Sequence, residues 1–207
     1  ALKYGTPTFC YSVNQIKDNL YNLKNSFSKI KPLICYAMKA NFNKGIVKLM
    51  SKNNLGVDVV SKGELKESLK CGIKNNKIVF SGVGKTYDEI KLALSNGIRQ
   101  FNVESIPEIM LINKIAETTG KKAPISIRVN PDVDAQTHEK IMTGKLENKF
   151  GIPINSALEV YRIASELNSI KIVGIDLHIG SQITDILPFE TAFLKIANFI
   201  KKLREKG

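Results

Sequence analysis

The chain has 207 residues, of which 43% are hydrophobic and 24% charged, an ordinary balance for a soluble globular protein with one substantial core. No apolar run approaches the roughly 20 residues of a membrane span, and the first residues lack the layout of a secretory signal, so we expect a cytoplasmic protein with no membrane partner. The net charge of +12 could indicate nucleic-acid binding, but the lysines are spread over the helices, which favours solvated helix faces.

The cysteines and histidines argue against two further kinds of site. Cys10, Cys35 and Cys71 are scattered and form no CxxC pair, so neither a disulfide framework nor a zinc site is indicated. His138 and His178 do not have the spacing of metal ligands on a helix. We therefore expect no metal site.

The first elements in chain order are a short strand and a helix. Thr8 to Tyr11 is predicted as a leading strand. Ser12 then starts a helix, with Gln15 placed to complete a capping box. An apolar stripe at spacings of three and four continues as far as Ile30, and Pro32 marks the end of the helix.

Beyond Pro32, short β-branched runs alternate with amphipathic segments. The predicted strands are LICYAMKA, GVDVVS, KIVFSG, FNVES, PISIRVN, KFGI and KIVGIDLHIG. Helices are predicted through Ile46 to Met50, from near Gly63, after the cap Thr86, and over 106–119, 155–168 and 188–206. Glu89 and Gly97 fit the capping box and the C-terminal glycine of the Thr86 helix.

This order predicts an α/β fold with a parallel sheet covered by helices, because the strands are short and apolar on both faces. Seven βα units without a large break favour a closing barrel over an open doubly wound sheet. The sequence stops before an eighth strand could form, so we expect an incomplete TIM-like (β/α)8 barrel over residues 12–207. Residues 1–11 are predicted to belong to a second domain whose remainder is missing.

Side chains at the C-terminal ends of barrel strands point into the active site. These ends carry Lys39, Asp58, Ser61, Gly82, Glu104, Arg128, Asn130, His178 and Ser181. A lysine that ends an apolar strand is costly unless its amine is used or paired. Desolvation in a barrel mouth favours the neutral, nucleophilic amine that Schiff-base chemistry needs. On composition alone, a lysine that reaches out to solvent is the simpler interpretation.

Five segments, in this order, shift that balance: YAMKAN, GVDVVSKGEL, FNVES, RVNPDVDAQTHEKIMTGKLENKFGI and GIDLHIGSQ. Together they resemble the diaminopimelate decarboxylases, which are fold-type III, alanine-racemase-like pyridoxal-phosphate enzymes. The resemblance runs from Tyr4 to about Phe193, and its most specific parts are the long fourth segment and HIGSQITD. It implies a barrel with a C-terminal β domain, pyridoxal 5′-phosphate as cofactor, and decarboxylation of meso-diaminopimelate to L-lysine and CO2 in lysine biosynthesis.

The same resemblance assigns roles to five residues. Lys39 matches the catalytic lysine that binds the cofactor covalently, and His178 matches the catalytic histidine that stacks against the pyridine ring. Three further cofactor-binding positions follow: Asp58 is an acidic group near the lysine, Arg128 lies near the ring substituents, and Ser181 bonds the phosphate. The resemblance also implies a homodimer with an active site shared between subunits.

Most of these positions have a structural alternative. Asp58 and Glu104 could cap the helices that follow them, and Arg128 could pair with Glu104 across adjacent strands. Ser181 is a common turn residue, although its hydroxyl and the Gly180 backbone suit anion binding at the start of a helix.

Three other positions carry weaker expectations. Glu64 matches an acid that lies behind the site in related decarboxylases, and His138 is expected only to cover a loop. Asp176 and Leu177 stand where many members of the family have histidine and cysteine, which can mark a subgroup.

Three rival functions remain open at this point. The nearest is a decarboxylase for another basic amino acid such as ornithine, arginine or carboxynorspermidine. A non-catalytic, single-barrel pyridoxal-phosphate carrier is the second, and a catalytically inactive relative with a regulatory role is the third. In each reading the ligands are small molecules, and the substrate-selecting residues are expected in the missing half.

Overall fold

The computed structural model describes residues 1–133 and 150–207, which form two compact units, Ala1–Ile34 and Cys35–Gly207. The helices of the described residues are α1 Val13–Ser26, α2 Lys44–Lys52, α3 Lys62–Lys70, α4 Tyr87–Asn96, α5 Ile106–Thr118, α6 Ile154–Ser165 and α7 Leu187–Glu205. The strands are β1 Cys35–Ala37, β2 Gly56–Val59, β3 Ile78–Phe80, β4 Gln100–Val103, β5 Ala123–Asn130, β6 Ile152–Pro153 and β7 Ile170–Asp176. No helix among these residues is long and apolar enough to cross a membrane.

The N-terminal unit contains α1, which begins as predicted but ends early. The Ser12 side chain caps the helix by accepting a hydrogen bond from the Gln15 N–H at 3.2 Å. The Gln15 side chain bonds Asn19 instead of returning to the cap, so the predicted capping box is wrong in its second half. The helix ends at Ser26, whose hydroxyl bonds the Asn22 carbonyl, a contact that competes with helix continuation.

No strand forms at the predicted Thr8–Tyr11 segment in the structure. A strand needs a partner to satisfy its backbone groups, and none of the described strands pairs with these residues. The assignment of residues 1–11 to a second domain stays a prediction.

All strand pairs of the second unit are parallel, which confirms the predicted α/β fold. Strands β1 to β6 lie in chain order in one sheet, and β7 pairs with β5. Strand β5 is the longest: its residues Ala123 to Arg128 pair with β7, whereas Val129 and Asn130 pair with the two-residue β6. Strand β6 therefore adds to the sheet only at its carboxyl edge, which is also the edge that carries the predicted site residues.

The core lies between this sheet and its helices. Phe80 and Phe101, on neighbouring strands, are fully buried and stack with ring centroids 6.2 Å apart. Burial of one such side chain contributes about 1.5–3 kcal/mol. Other fully buried members are Val57, Val59, Leu65, Ile78, Ile90, Ile109, Ile112, Ile115, Ile125 and Ile127.

Two glycines are required by backbone geometry. Gly97 ends α4 at φ +62°, the left-handed conformation that glycine adopts without cost, as the sequence predicted. Gly56 in β2 lies against its neighbours so closely that a Cβ there would overlap the Lys77 carbonyl and stand 2.7 Å from Cys35 Sγ.

Two helices begin with the same serine and glutamate pattern. Ser61 caps α3 and Ser105 caps α5, and each serine Oγ accepts from the N–H of the glutamate three residues later, at 3.2 and 3.3 Å. Those glutamates, Glu64 and Glu108, each accept from the N–H four residues before them at 2.8 Å. Both ends of each motif satisfy N–H groups that have no partner within the helix.

The capping glutamates of α4 and α5 also reach the preceding βα unit. Glu89 accepts from the Thr86 N–H at 3.0 Å, as predicted, and its other oxygen accepts from the Lys62 N–H of α3 at 2.8 Å. Glu108 accepts from Lys85 Nζ at 2.6 Å. We call Glu89 and Glu108 the cap chain, because each joins its own helix to the unit before it.

Candidate active site

Lys39 lies just after β1, on a short 3-10 turn, Met38–Ala40, that replaces the end of the predicted strand. The Tyr36 hydroxyl donates to the Asn41 carbonyl at 3.0 Å and closes this turn. Met38 is fully buried and Lys39 is exposed in this structure, and the desolvation of Lys39 in a complete barrel stays a prediction. The turn still presents the amine at the carboxyl edge of the sheet.

Asp58 lies on the neighbouring strand at the same edge. It is level with Ala37 in the register of β1 and β2, and it accepts a hydrogen bond from Ser81 Oγ at 2.7 Å. Burial raises the pKa of Asp58, opposed by the Ser81 hydrogen bond and by the positive charge of Lys39. The carboxylate is thus not a helix cap, because Ser61 caps the helix that follows.

A second layer of polar side chains, which the sequence analysis missed, stands behind Asp58. Asn102 Nδ2 donates to Ser81 Oγ at 3.1 Å, and Gln100 Nε2 donates to Asn102 Oδ1 at 2.9 Å. Gln100 and Asn102 are two residues apart on β4, so they share one face of the sheet. That alternation was the available signal in the sequence.

Lys85 was also missed, and it is among the most buried charges of the described chain. Its ammonium is within hydrogen-bond distance of the Gly82 carbonyl at 2.7 Å, the Asn102 carbonyl at 2.6 Å and Glu108 Oε1 at 2.6 Å. The Lys85 and Glu108 side chains are 1% and 8% exposed. All three N–H groups of the ammonium therefore have an acceptor.

Glu104, directly after β4, and Arg128 on β5 form a second buried ion pair, which confirms the pairing considered from the sequence. Arg128 Nη1 donates to Glu104 Oε1 at 2.9 Å, with side chains 15% and 5% exposed. Glu104 Oε2 and Arg128 Nε are buried without a hydrogen-bond partner among the described residues. Buried polar atoms of this kind are rare in proteins, and an active site is one place where they occur.

Asp176 and His178 complete the edge from β7. Burial raises the pKa of Asp176, while the positive charge of Arg128 opposes this. Partial desolvation and the positive charges of Arg128 and Lys39 lower the pKa of His178, so the imidazole is mainly neutral near pH 7. Asp176 was noted in the sequence only as a departure from the family pattern.

Ser181 is exposed and lies six residues before α7, which begins at Leu187. The expected position at the start of a helix is therefore wrong. Gly180 has φ +142°, a backbone conformation that other residues rarely adopt, and the chain bends at Ser181. A phosphate-binding role for Ser181 stays a prediction.

The remaining predicted positions have local roles or lie outside the described residues. Ser61 and Glu64 cap α3, and the Asn130 side chain accepts from the Asp132 N–H at 2.9 Å. Gly82 bends the chain at φ +100° after β3. His138 falls within 134–149, as does Lys149, the first residue of the predicted KFGI strand, and both lie outside the residues that the structure describes.

The described residues contain no group of three or more His, Cys, Asp or Glu side chains that could hold a metal ion. Instead, Lys39, Asp58, Arg128, Asp176 and His178 influence one another electrostatically at one edge of a parallel sheet. An amine, a guanidinium, carboxylates and a neutral imidazole can together bind an anionic ligand, hold an amino group and exchange protons with it.

Comparison with known proteins shows what this arrangement is similar to. Residues 13–207 match the model of the family described as "Pyridoxal-dependent decarboxylase, pyridoxal binding domain". The chain is 47% identical over its full length to a diaminopimelate decarboxylase of Haemophilus influenzae, of which it covers 50%.

Solved structures give the same result. The diaminopimelate decarboxylase of Helicobacter pylori, complexed with L-lysine, matches the whole chain with a TM-score of 0.94 and 44% identity, over 52% of its own length. The enzyme of M. jannaschii, also with L-lysine, matches with a TM-score of 0.92 and 40% identity, over 49% of its length. The chain thus spans about half the length of the relatives that it matches.

Proposed function

The chain belongs to the pyridoxal-dependent decarboxylases, and on that premise we propose that the full-length protein converts meso-diaminopimelate to L-lysine and CO2. The observation that carries the proposal is that the similarity to diaminopimelate decarboxylases extends over the whole chain. Because the chain spans half of those relatives, the activity is proposed for the full-length protein.

The described residues fit pyridoxal phosphate. Lys39 presents an amine at the carboxyl edge of the sheet, and the neutral imidazole of His178 suits stacking on an aromatic ring. Glu104 Oε2 and Arg128 Nε are buried polar atoms that lack partners, as expected where a polar ligand completes the site. We propose that Lys39, Asp58, Arg128, His178 and Ser181 hold the cofactor.

When bound, pyridoxal phosphate supplies a ring that accepts the electron pair left behind by the departing CO2. Lys39 would hold the cofactor through its amine, and the same amine could carry a proton to or from the substrate. Asp58, half-buried beside Lys39, stabilises the positive charge of that amine and orders the transfer of its proton. The His178 imidazole would stack on the ring of the bound cofactor, where it would exclude proton donors from that side.

The proposal extends to setting and assembly. We propose that the full-length protein is a cytoplasmic homodimer, in line with the shared active site implied by the sequence resemblance. Residues 1–11 are proposed to join the C-terminal β domain of the full-length protein.

The test is a substrate panel. The full-length protein is supplied with pyridoxal phosphate and incubated separately with meso-diaminopimelate, ornithine and arginine, while CO2 and L-lysine are measured. We expect lysine from meso-diaminopimelate alone. CO2 released only from ornithine or arginine would move the function to another basic amino acid, and bound cofactor without CO2 would favour the carrier.

Lys39→Ala tests the central residue. We expect the loss of covalent cofactor binding and of at least about a thousandfold in turnover, as for removal of a covalent catalyst. Lys171→Ala, an exposed lysine of β7, is the matched control and should retain both properties. Normal turnover in Lys39→Ala would contradict the proposed mechanism.

A further inference from the structure

Three side chains behind Asp58 form a continuous row of hydrogen bonds. Gln100 donates to Asn102 at 2.9 Å, Asn102 donates to Ser81 at 3.1 Å, and Ser81 donates to Asp58 Oδ1 at 2.7 Å. Every donor in the row points toward Asp58, and the row crosses three adjacent strands or their ends. It ends on a carboxylate, the only member that can carry a negative charge.

We propose that Gln100, Asn102 and Ser81 form a positioning relay, which fixes the orientation and the ionised state of Asp58 beside Lys39. The part played by Lys39 rests on the proposed function, but the relay itself does not. None of the three is a catalytic residue, because they act through Asp58.

The physics of the row supports a role beyond packing. Hydrogen bonds arranged in a chain polarise one another, and a bond donated to a carboxylate stabilises its charged form. Asn102 is buried at 7% exposure, so little water is available to replace these donors. The described residues donate no hydrogen bond to Asp58 Oδ2, which leaves that oxygen available to an amine or a ligand.

Lys85 fixes the backbone of the relay through hydrogen bonds. Its ammonium bonds the backbone carbonyls of Asn102 and Gly82, at 2.6 and 2.7 Å. Gly82 follows Ser81 directly, so one buried cation fixes the backbone at both central members of the relay. The backbone of the relay is therefore expected to keep its position whether or not a ligand is bound beside Asp58.

The charge of Asp58 has several neighbours, and the relay acts alongside them. Lys39, Lys85 and Arg128 lower the pKa of Asp58, and Asp58 in turn raises that of Asp176. Burial, followed by the charge of Asp58, raises the pKa of Cys35 to about 11, so this thiol stays neutral near pH 7. The ionisable groups that interact electrostatically with Asp58 are thus Cys35, Lys39, Lys85, Arg128 and Asp176.

The first measurement titrates Asp58 directly. The full-length, cofactor-free protein is labelled with carboxyl-13C aspartate, and the Asp58 signal is assigned by its loss in Asp58→Asn. Ser81→Ala removes the last donor, so we expect the Asp58 midpoint to move to higher pH by about one unit. Asn102→Ala should give a smaller shift in the same direction, because the Ser81 hydroxyl loses its orienting partner.

The chain supplies a matched control in Ser126. This serine is more deeply buried than Ser81, lies on β5, and its hydroxyl has no hydrogen-bond partner among the described residues. Ser126→Ala should leave the Asp58 midpoint unchanged, and Ser81→Thr, which keeps a hydroxyl, should restore it. An unmoved midpoint in Ser81→Ala would overturn the relay.

A second measurement connects the relay to the cofactor. Binding of pyridoxal phosphate is followed across pH by the absorbance of the bound cofactor, with no substrate present. We expect Ser81→Ala to move the acid-side midpoint upward in the wild-type background but not in Asp58→Asn. A shift that persists without Asp58 would sink the proposal. Failure of the substrate panel would leave both measurements intact, so the two proposals fail separately.

Discussion

The two buried ion pairs among the described residues differ in how many of their polar atoms have a hydrogen-bond partner. Lys85 and Glu108 form a closed pair, in which every ammonium N–H has an acceptor and the carboxylate also accepts a backbone N–H. Glu104 and Arg128 form an open pair, in which each partner has one buried polar atom that no described residue hydrogen-bonds.

The difference separates structure from function. In a closed buried pair the hydrogen bonds are all made when the chain folds. Such a pair therefore offers no unpaired group to a ligand. An open pair has a buried donor or acceptor that lacks a partner. A ligand that hydrogen-bonds this atom gains binding free energy. Arg128 of the open pair interacts electrostatically with Asp58, Asp176 and His178, whereas Lys85 of the closed pair belongs to the loop after β3 and bonds the Gly82 carbonyl of that loop.

The largest effect should come from breaking the closed pair. Lys85→Met leaves Glu108 buried and charged without its partner, so the free energy of unfolding should fall by about 3–5 kcal/mol. Urea denaturation of the full-length protein measures this. Lys121→Met is the control, because Lys121 also bonds two backbone carbonyls but no carboxylate, and its residue is exposed.

The loss in Lys85→Met is expected to be partly reversible. Adding Glu108→Gln removes the unpaired charge, while the amide oxygen can still accept the capping N–H, so the double variant should regain part of the stability. If the double variant were no more stable than Lys85→Met, the unpaired charge of Glu108 would not be the cause of the loss.

Charge-conserving exchanges should separate the two pairs most sharply. Lys85→Arg forces a planar guanidinium into a site built for three N–H groups, so stability should fall by about 2 kcal/mol, while cofactor affinity should fall less than in Arg128→Lys. Arg128→Lys keeps the charge near Glu104 but loses the fork, so cofactor affinity should fall about tenfold. Denaturation and cofactor titration of both variants measure this, and equal effects on both quantities would contradict the distinction.

The smallest expected effect on stability concerns the Asp176 carboxylate, which lies near Arg128 of the open pair. Because burial raises the pKa of Asp176 above that of the unfolded chain, its charged form destabilises the folded protein at neutral pH. Asp176→Asn should therefore stabilise the protein near pH 7 by less than about 1 kcal/mol. As pH falls and the wild-type carboxyl takes up its proton, this gain should disappear. Denaturation in a series from about pH 7 to about pH 4.5 checks it, and a gain independent of pH would contradict the sign.

The order of elements and several of their ends could be predicted because the signals are local. The capping residues Ser12 and Thr86 and the terminal Gly97 lie next to the helix ends that they mark. The Glu104–Arg128 pairing was also predictable, since both follow or end adjacent parallel strands. Strand β1 was predicted too long, because its apolar run continues into a turn whose Met38 is buried like a strand residue.

The closed pair and the relay could not be predicted in the same way. Lys85 stands in the segment SGVGKT, where a lysine between glycine and threonine is typical of a solvated loop. Its partners, Asn102 and Glu108, are 17 and 23 residues away, and only the folded sheet brings them together. Ser81 and Asn102 are likewise ordinary polar residues until the strand register sets them side by side.

The cap chain has a consequence for recombining this fold with its relatives. Barrels of repeated βα units invite exchange of single units between homologous proteins. Here Glu89 accepts a hydrogen bond from the first N–H of α3, and Glu108 accepts one from Lys85, just before α4. Hydrogen bonds therefore link the consecutive βα units that contain α3, α4 and α5. A transplanted unit that lacks the right glutamate would leave its neighbour's N–H or ammonium without an acceptor. The smallest segment that can be exchanged intact in this region therefore runs from β2 through α5.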